Sequence, residues 1–121
     1  MSIIAVLLIA VVALEHAYFL YLEMFAWTAS STRRSFGTTK EFAEASKSLA
    51  ANQGLYNGFL AVGLAWSILH PDPLVGRQIA LFFLGCVLVA AGYGGWSVKR
   101  SILIIQGVPA AIAMAAVLFL G

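Results

Sequence analysis

Residues 3–27 read IIAVLLIAVVALEHAYFLYLEMFAW, an apolar run that three ionisable side chains interrupt, Glu15, His16 and Glu23. A stretch of roughly 20 apolar residues is long enough to cross a bilayer as a helix. An ionisable side chain in hydrocarbon is costly unless it faces protein or water, so such residues commonly mark functional sites. The run therefore predicts both a membrane span and the start of a site.

The composition of the whole chain is typical of an integral membrane protein. Of the 121 residues, 62% are hydrophobic and 10% are charged, and the mean hydropathy is +0.95. A soluble domain needs more polar surface than this composition provides. The formal net charge is only +2, and no basic groove with interleaved aromatic residues is present, so we expect no nucleic-acid partner.

Four apolar runs have the length of membrane-spanning helices, and a span must be helical because lipid offers backbone groups no hydrogen-bond partners. They cover about residues 3–27, 49–69, 78–98 and 101–120. Together they predict one all-α integral membrane domain over residues 1–121, a four-transmembrane-helix bundle. No Lys or Arg precedes Arg33, so the first run lacks the basic start of a signal peptide and is predicted to be retained.

The basic residues predict the orientation, because cytoplasmic loops carry an excess of Lys and Arg. The second connection contains only Arg77, whereas the first and third contain Arg33, Arg34, Lys40, Lys47, Lys99 and Arg100. We therefore expect the first and third connections in the cytoplasm and both termini outside. Lys99 and Arg100 alone separate the last two spans, which predicts a tight antiparallel hairpin.

The long first connection divides into two parts. Residues 28–37 are rich in Ser, Thr and Arg, which predicts an irregular loop that can touch anionic head groups. Thr38 and Glu41 then have the spacing of a capping box. Phe42 and its neighbours on one helical face, Ala45 and Leu49, predict a short amphipathic cytoplasmic helix before the second span.

Polar side chains within the spans concentrate at the cytoplasmic end of this topology. On the second span they cluster on one side, with Gly54 and Gly58 on the other side in the spacing of a close helix contact. If the polar stripes of the spans converge, they line a cavity open to the cytoplasm. The predicted ligand-binding or proton-coupling residues are Glu15, His16, Glu23, Asn52, Gln53, Tyr56, Asn57, Tyr93 and Gln106.

Structural roles for the same residues stay open. Glu15 and His16 can form a buried pair, and Glu23 lies near enough to the interface to extend towards Lys47 or Lys99. Amide side chains often join membrane helices through hydrogen bonds worth about 1 kcal/mol each. Pro109 is expected to kink the fourth span and free a carbonyl beside Gln106.

Several motifs resemble one known family. They are Glu15-His16-x-Tyr18, Tyr21-Leu22-Glu23-Met24-Phe25-x-Trp27, Asn52-Gln53-Gly54-Leu55-Tyr56-Asn57-Gly58-Phe59-Leu60, Tyr93-Gly94-Gly95 and Gln106-Gly107-x-Pro109-Ala110. Over essentially the whole chain they are similar to the small bacterial membrane family called domain of unknown function 1304. The resemblance implies a short four-span protein of the bacterial inner membrane and implies no biochemical role.

The first class of function is binding or transport of a small amphipathic or cationic molecule. In it, Glu15 exchanges a proton for the solute and His16 tunes that exchange. Small multidrug resistance transporters are similar in size, and Leu103-Ile104-x-x-Gly107-Val108 is similar to their last-helix contact motif. The chain departs from them in its long first connection, in His16 and Glu23, and in its strong basic bias.

The second class is a membrane enzyme acting on a lipophilic substrate, which would resemble the eicosanoid and glutathione metabolism family. Tyr56 or Tyr93 would act as the acid there, and Glu23, Asn52 and Asn57 would bind a polar co-substrate. The arginine-rich second helix of that family is not reproduced. A third possibility is an accessory subunit of a larger complex.

Cofactor chemistry finds little support in the residue types. His16, Glu15 and Glu23 supply at most three scattered ligands, without the second His or Cys usual in zinc or iron sites, so we predict no metal. Haem would have His16 as its one candidate axial ligand. The stripes of small residues predict a homo-oligomer embedded among membrane lipids.

Overall fold

A computed structural model describes all 121 residues, and every regular element in it is a helix. The prediction of an all-α protein is confirmed. The elements are α1 (Ile3–Phe25), α2 (Ser30–Phe36), α3 (Lys40–Ala45), α4 (Lys47–Leu69), α5 (Pro73–Ser97), α6 (Arg100–Ile102), a π-helical segment (Leu103–Gly107) and α7 (Val108–Phe119).

Three segments are long and apolar enough to cross a membrane: α1, α5 and the stretch Arg100–Phe119. This finding supports a membrane protein. Helix α4 has the same length as α1, 23 residues, but it does not reach the same apolar character. Asn52, Gln53 and Asn57 account for the difference, since amide side chains lower the mean hydropathy. The fourth span therefore stays a prediction.

The third predicted span begins five residues earlier than expected. Helix α5 starts at Pro73 because the side chain of Asp72 accepts a hydrogen bond from the N–H of Leu74 at 2.9 Å. Proline suits the first helical turn, where its missing N–H would have had no partner. The His70-Pro71-Asp72-Pro73 stretch is thus both a turn and the start of the next helix.

The predicted irregular loop at residues 28–37 is wrong, because Ser30–Phe36 forms α2. Gly37 ends this helix in the left-handed region at φ 69°, and its N–H donates to the carbonyl of Arg33. The predicted cap of the next helix is also shifted by one residue. Thr39 rather than Thr38 caps α3, and its hydroxyl accepts from the N–H of Phe42 at 3.1 Å.

Two compact units make up the chain, one of Met1–Leu14 with Leu60–Gly121 and one of Glu15–Phe59. The first unit contains a core whose members are Ala5, Ile9, Val12, Leu64, Ala80, Leu84, Val87, Ala110, Ala113, Ala116 and Val117. Large apolar side chains are also exposed in this unit, including Val89 at 75% and Phe119 at 83%. Apolar side chains on both the inside and the outside are expected of helices surrounded by lipid.

The predicted tight hairpin is present in the first unit. The N–H of Lys99 donates to the carbonyl of Gly94 at 3.1 Å, which closes the turn after α5. A side chain at Gly94 would lie 2.9 Å from the side chain of Ile102, and one at Gly95 would lie 2.6 Å from that of Leu103. These two glycines therefore allow the helices to approach closely, rather than loosening the end of α5.

The last apolar stretch departs from regular α-helix just before Pro109. Residues Leu103–Gly107 form a π-helical turn, with Pro109 in the first turn of α7. Proline has no N–H to donate to the preceding turn, so a local change of hydrogen-bond register is the expected response. Gln106 lies within this π-turn.

Candidate functional site

The predicted site residues fall in both compact units. Tyr93 and Gln106 belong to the first unit, and the remaining predicted residues belong to Glu15–Phe59. In each pair whose contact is described below, both residues belong to the same unit. The predicted convergence of all the residues on one cavity stays a prediction.

The central contact of the candidate site joins α1 to α4. The side-chain amide Nδ2 of Asn57 donates a hydrogen bond to Oε1 of Glu23 at 2.5 Å. Asn57 is only 7% exposed, and Glu23 is partly buried two residues before the end of α1. A carboxyl group and an amide from different helices are thus fixed against each other in a largely apolar setting.

Two glycines of α4 create the room for this contact. A Cβ atom on Gly54 would lie 3.0 Å from Cβ of Glu23 and 3.2 Å from the carbonyl oxygen of Leu20. A Cβ atom on Gly58 would lie 2.5 Å from Cδ1 of Leu20. The predicted close helix contact at these glycines is therefore present.

The prediction that Asn57 lies on the side of α4 opposite these glycines is wrong. At 100° per residue, Asn57 is about 60° from Gly54 around the helix axis. It therefore reaches Glu23 from the same face that the glycines present to α1. The single polar stripe predicted for α4 divides into a buried part and an exposed part.

Glu15 and His16 form a second pair, deeper in α1. His16 is fully buried, and its Nδ1 lies 4.0 Å from Oε1 of Glu15, which is too long for a hydrogen bond. The His16 ring also meets the edge of Phe19, with ring centroids 5.3 Å apart. Oε1 of Glu15 is buried and has no hydrogen-bond partner, which is a costly state for a polar atom.

The other predicted residues are more exposed. Asn52 and Gln53 are exposed on α4, and Tyr56 is 54% exposed with its ring against Phe59. In the first unit, Tyr93 is 68% exposed. The structure thus joins Glu23 to Asn57 by a hydrogen bond and places the neighbouring His16 and Glu15 side chains 4.0 Å apart without one. It leaves Asn52 and Gln53 exposed.

Two polar contacts were not anticipated from the sequence. The indole Nε1–H of Trp27 donates to Oγ of Ser46 at 3.1 Å, and the indole ring meets Phe36 edge-on with centroids 5.0 Å apart. The Nε–H of Arg33 also donates to the carbonyl of Thr28 at 3.2 Å. The bond from Trp27 to Ser46 joins the two ends of the connection between α1 and α4, and no spacing rule connects residues 19 positions apart.

A shallow groove of about 190 Å³ lies in the first unit, lined by Met1, Val6, Ser67, Ile68, His70, Pro73 and Gly76. Its polar groups are already paired within the chain. The Ser67 hydroxyl donates to the carbonyl of Leu64 at 2.6 Å, and Nδ1 of His70 accepts from the N–H of Asp72 at 3.0 Å. The groove therefore adds no reactive group to the candidate site.

Known proteins provide two matches. A sequence model of the family described as "Protein of unknown function (DUF1304)" matches residues 10–118, which include all the predicted site residues. The chain is 34% identical over 116 residues to the uncharacterized protein YpaA of Lactococcus lactis subsp. lactis (strain IL1403), covering 94% of this chain and 96% of that protein. No solved structure matches. The family resemblance predicted from the motifs is confirmed.

Proposed function

We infer that this chain, which belongs to the DUF1304 family of proteins of unknown function, binds or transports a small amphipathic or cationic molecule within the membrane. The observation that carries this proposal is the hydrogen bond from Asn57 to Glu23 at 2.5 Å. It holds a carboxyl group in a defined position inside α1, a helix long and apolar enough to span a bilayer.

The carboxyl groups of α1 have the chemistry to recognise a cation or an N–H donor. The bond from Asn57 uses Oε1 of Glu23, so Oε2 is available to a ligand. Oε1 of Glu15 is buried without a hydrogen-bond partner, and a ligand donor or a proton would satisfy it. The surrounding apolar side chains would take up the apolar part of an amphipathic molecule.

A carboxyl group that holds either a proton or a cation couples the two. Binding of a cation would release a proton from Glu15 or Glu23, and release of the cation would allow the proton to return. Asn57 keeps the Glu23 carboxyl oriented through both states. His16, buried beside Glu15 at 4.0 Å, restricts where the Glu15 side chain can go.

The proposal includes α4 as the fourth membrane span. Its 23 residues make a helix about 35 Å long at about 1.5 Å per residue, which exceeds the roughly 30 Å of a hydrocarbon core. In this topology residues 26–47 lie in the cytoplasm and both termini lie outside the inner membrane. Single cysteines at Ser35 and Asp72, in a chain with Cys86→Ser, should be labelled from opposite sides; labelling from the same side contradicts the fourth span.

The proposal also includes association with a second copy. Asn52 and Gln53 are exposed on α4, and polar side chains on the outside of a membrane helix are usually paired with another helix. Amide groups donate and accept hydrogen bonds, so a symmetric contact between two copies would satisfy both. Oxidative cross-linking of Gln53→Cys, in a chain with Cys86→Ser, should yield a dimer, and a monomer after complete oxidation contradicts this contact.

A vesicle assay tests the binding and transport proposal. Purified protein is reconstituted with an entrapped pH indicator, and ethidium or tetraphenylphosphonium is added as the probe cation. We expect cation-dependent proton movement that is lost in Glu15→Gln and Glu23→Gln and reduced in Asn57→Ala. Glu41→Gln is the matched control, since this carboxyl group is exposed on α3.

Three outcomes of that assay would overturn the proposal. They are an unchanged proton flux in both Glu15→Gln and Glu23→Gln, equal loss in the Glu41→Gln control, and the absence of cation-dependent proton flux in the unmodified protein for both probe cations. Turnover of a lipophilic substrate that depends on Tyr56 or Tyr93 would support the enzyme alternative instead.

A further inference from the structure

We propose that the connection between α1 and α4 is a docking surface for anionic phospholipid headgroups. We call residues 26–47 the cap segment. The proposal rests on the membrane insertion of α1 and is independent of any ligand bound by Glu15 or Glu23. It assigns a lipid-recognition role to a part of the chain that the proposed transport function does not use.

The cap segment has a fixed fold, as a recognition surface requires. Two contacts hold the Trp27 indole: its Nε1–H donates a hydrogen bond to Oγ of Ser46 at 3.1 Å, and its ring packs edge-on against Phe36. Thr32 and Ala43 are buried, at 3% and 0% exposure. Groups held in place in this way lose little conformational freedom when they bind a partner.

The charges of the cap segment match an anionic surface. Its basic residues are Arg33, Arg34, Lys40 and Lys47, four of the seven Lys and Arg of the chain. Its acidic residues are Glu41 and Glu44. Arg34, Lys40 and Lys47 are exposed. The Nε–H of Arg33 donates to the carbonyl of Thr28 at 3.2 Å. This bond uses only Nε, and the terminal N–H groups of a guanidinium suit phosphate oxygens.

Exposed apolar groups accompany these charges. Phe42 is 57% exposed within the segment, and Leu49, two residues beyond it on α4, is 76% exposed. Apolar side chains beside Lys and Arg are the pattern of a helix that lies in a bilayer interface, with rings among the acyl chains and cations among the phosphates.

The cap segment directly follows a helix with the properties of a membrane span, which favours a membrane lipid as its partner. Helix α1 has the length and composition of a membrane span and ends at Phe25. Trp27 follows within one turn, which is the depth where Trp side chains anchor spans at the headgroup level. The cap segment thus starts at headgroup depth, where an anionic phospholipid supplies the complementary charge.

Native mass spectrometry of the 121-residue chain in detergent tests the proposal. The protein is mixed with equimolar phosphatidylglycerol and phosphatidylcholine, and the ratio of the two bound lipids is measured. We expect a preference for phosphatidylglycerol in the unmodified protein. Each basic residue removed should lower the ratio about five-fold, so Arg34→Gln with Lys40→Gln should lower it by about 25-fold.

A second double variant changes the charge of the same segment in the opposite direction. Glu41→Gln with Glu44→Gln removes two exposed carboxylates and should raise the ratio. Asn57→Ala changes no formal charge and should leave the ratio unchanged, although it is expected to reduce transport, which separates this proposal from the transport function. Equal binding of the two lipids by the unmodified protein, no change in either double variant, or full displacement of phosphatidylglycerol by inorganic phosphate would each overturn it.

Discussion

Asn57 and Glu23 are separated by 34 residues in the sequence and by 2.5 Å between their hydrogen-bonded atoms. The pair lies where α4 approaches α1 so closely that a Cβ atom added at Gly54 would lie 3.0 Å from Cβ of Glu23. The hydrogen bond and the close approach of the two helix backbones thus occur at the same place between α1 and α4. Removing either should weaken the other, which makes the pair a suitable subject for mutational cycles.

The stability of the Asn57–Glu23 bond can be measured with a double-mutant cycle. Asn57→Ala, Glu23→Ala and the double variant should give a coupling free energy of about 0.5–2 kcal/mol, the range found for polar contacts between membrane helices. Unfolding by denaturant in micelles provides the measurement. Asn52→Ala removes an exposed amide from the same helix and should show no coupling to Glu23. Additive single effects at Asn57 and Glu23 would contradict the contact.

Alanine substitutions at two glycines of α5 should change the free energy of unfolding in opposite directions. A Cβ atom at Gly76 would lie 2.6 Å from the backbone carbonyl oxygen of Ser67, whereas at Gly85 nothing lies within 4 Å. Gly76→Ala should therefore lower the free energy of unfolding by about 1–3 kcal/mol. Gly85→Ala should raise it by up to about 1 kcal/mol through helix propensity. Thermal unfolding of the two variants side by side tests the difference, and equal effects would refute it.

The hydrogen bond between Trp27 and Ser46 should control local opening of the connection between α1 and α4. Trp27→Phe keeps a ring against Phe36 but loses the indole N–H, at a cost of about 0.5–1.5 kcal/mol. Limited proteolysis within residues 28–46 should then become faster, and Ser46→Ala should have the same effect. Trp96→Phe is the control, because the Trp96 ring is 83% exposed, and this variant should be cleaved at the rate of the unmodified protein. Faster cleavage of Trp96→Phe would show that the effect is not specific to Trp27.

A charged residue on the outer face of α5 should report whether that face meets lipid. Val89 is 75% exposed, and Val89→Arg should cost about 2.5–3.5 kcal/mol if the middle of α5 lies in hydrocarbon. Glycosylation mapping measures how much of α5 inserts into microsomal membranes, and we expect Val89→Arg to lower the inserted fraction. Gln78→Arg, near the start of the same helix, should insert more readily, and equal insertion of the two variants would contradict a membrane position for Val89.

The predictable parts of the fold are those that composition and short spacing determine. The apolar helices α1 and α5 follow from run length alone, and a connection as short as Lys99 and Arg100 permits only a hairpin. Helix α2 was not predictable in this way. Its Ser- and Arg-rich sequence lacks an apolar periodicity, and its end depends on the left-handed conformation of Gly37 and on distant contacts of Trp27.

The residues of the candidate site were identifiable by type, but their pairing was not. Glu23 and Asn57 were both singled out as polar groups in apolar helices. A helical wheel projection of α4 alone does not show which face of α4 contacts α1, because glycines and amides both favour helix contacts in membranes. The close backbone approach at Gly54 settles the rotation, and it leaves Asn52 and Gln53 on the outside.

The π-turn at Leu103–Gly107 affects how the end of this chain is compared with that of any relative. Such a turn contains one residue more than an α-turn, so the positions after it are advanced by about 100° around the axis. A relative with an uninterrupted last helix would have to be aligned with a one-residue gap beside Gln106. Without that gap, inward-facing positions of one protein would be matched with lipid-facing positions of the other.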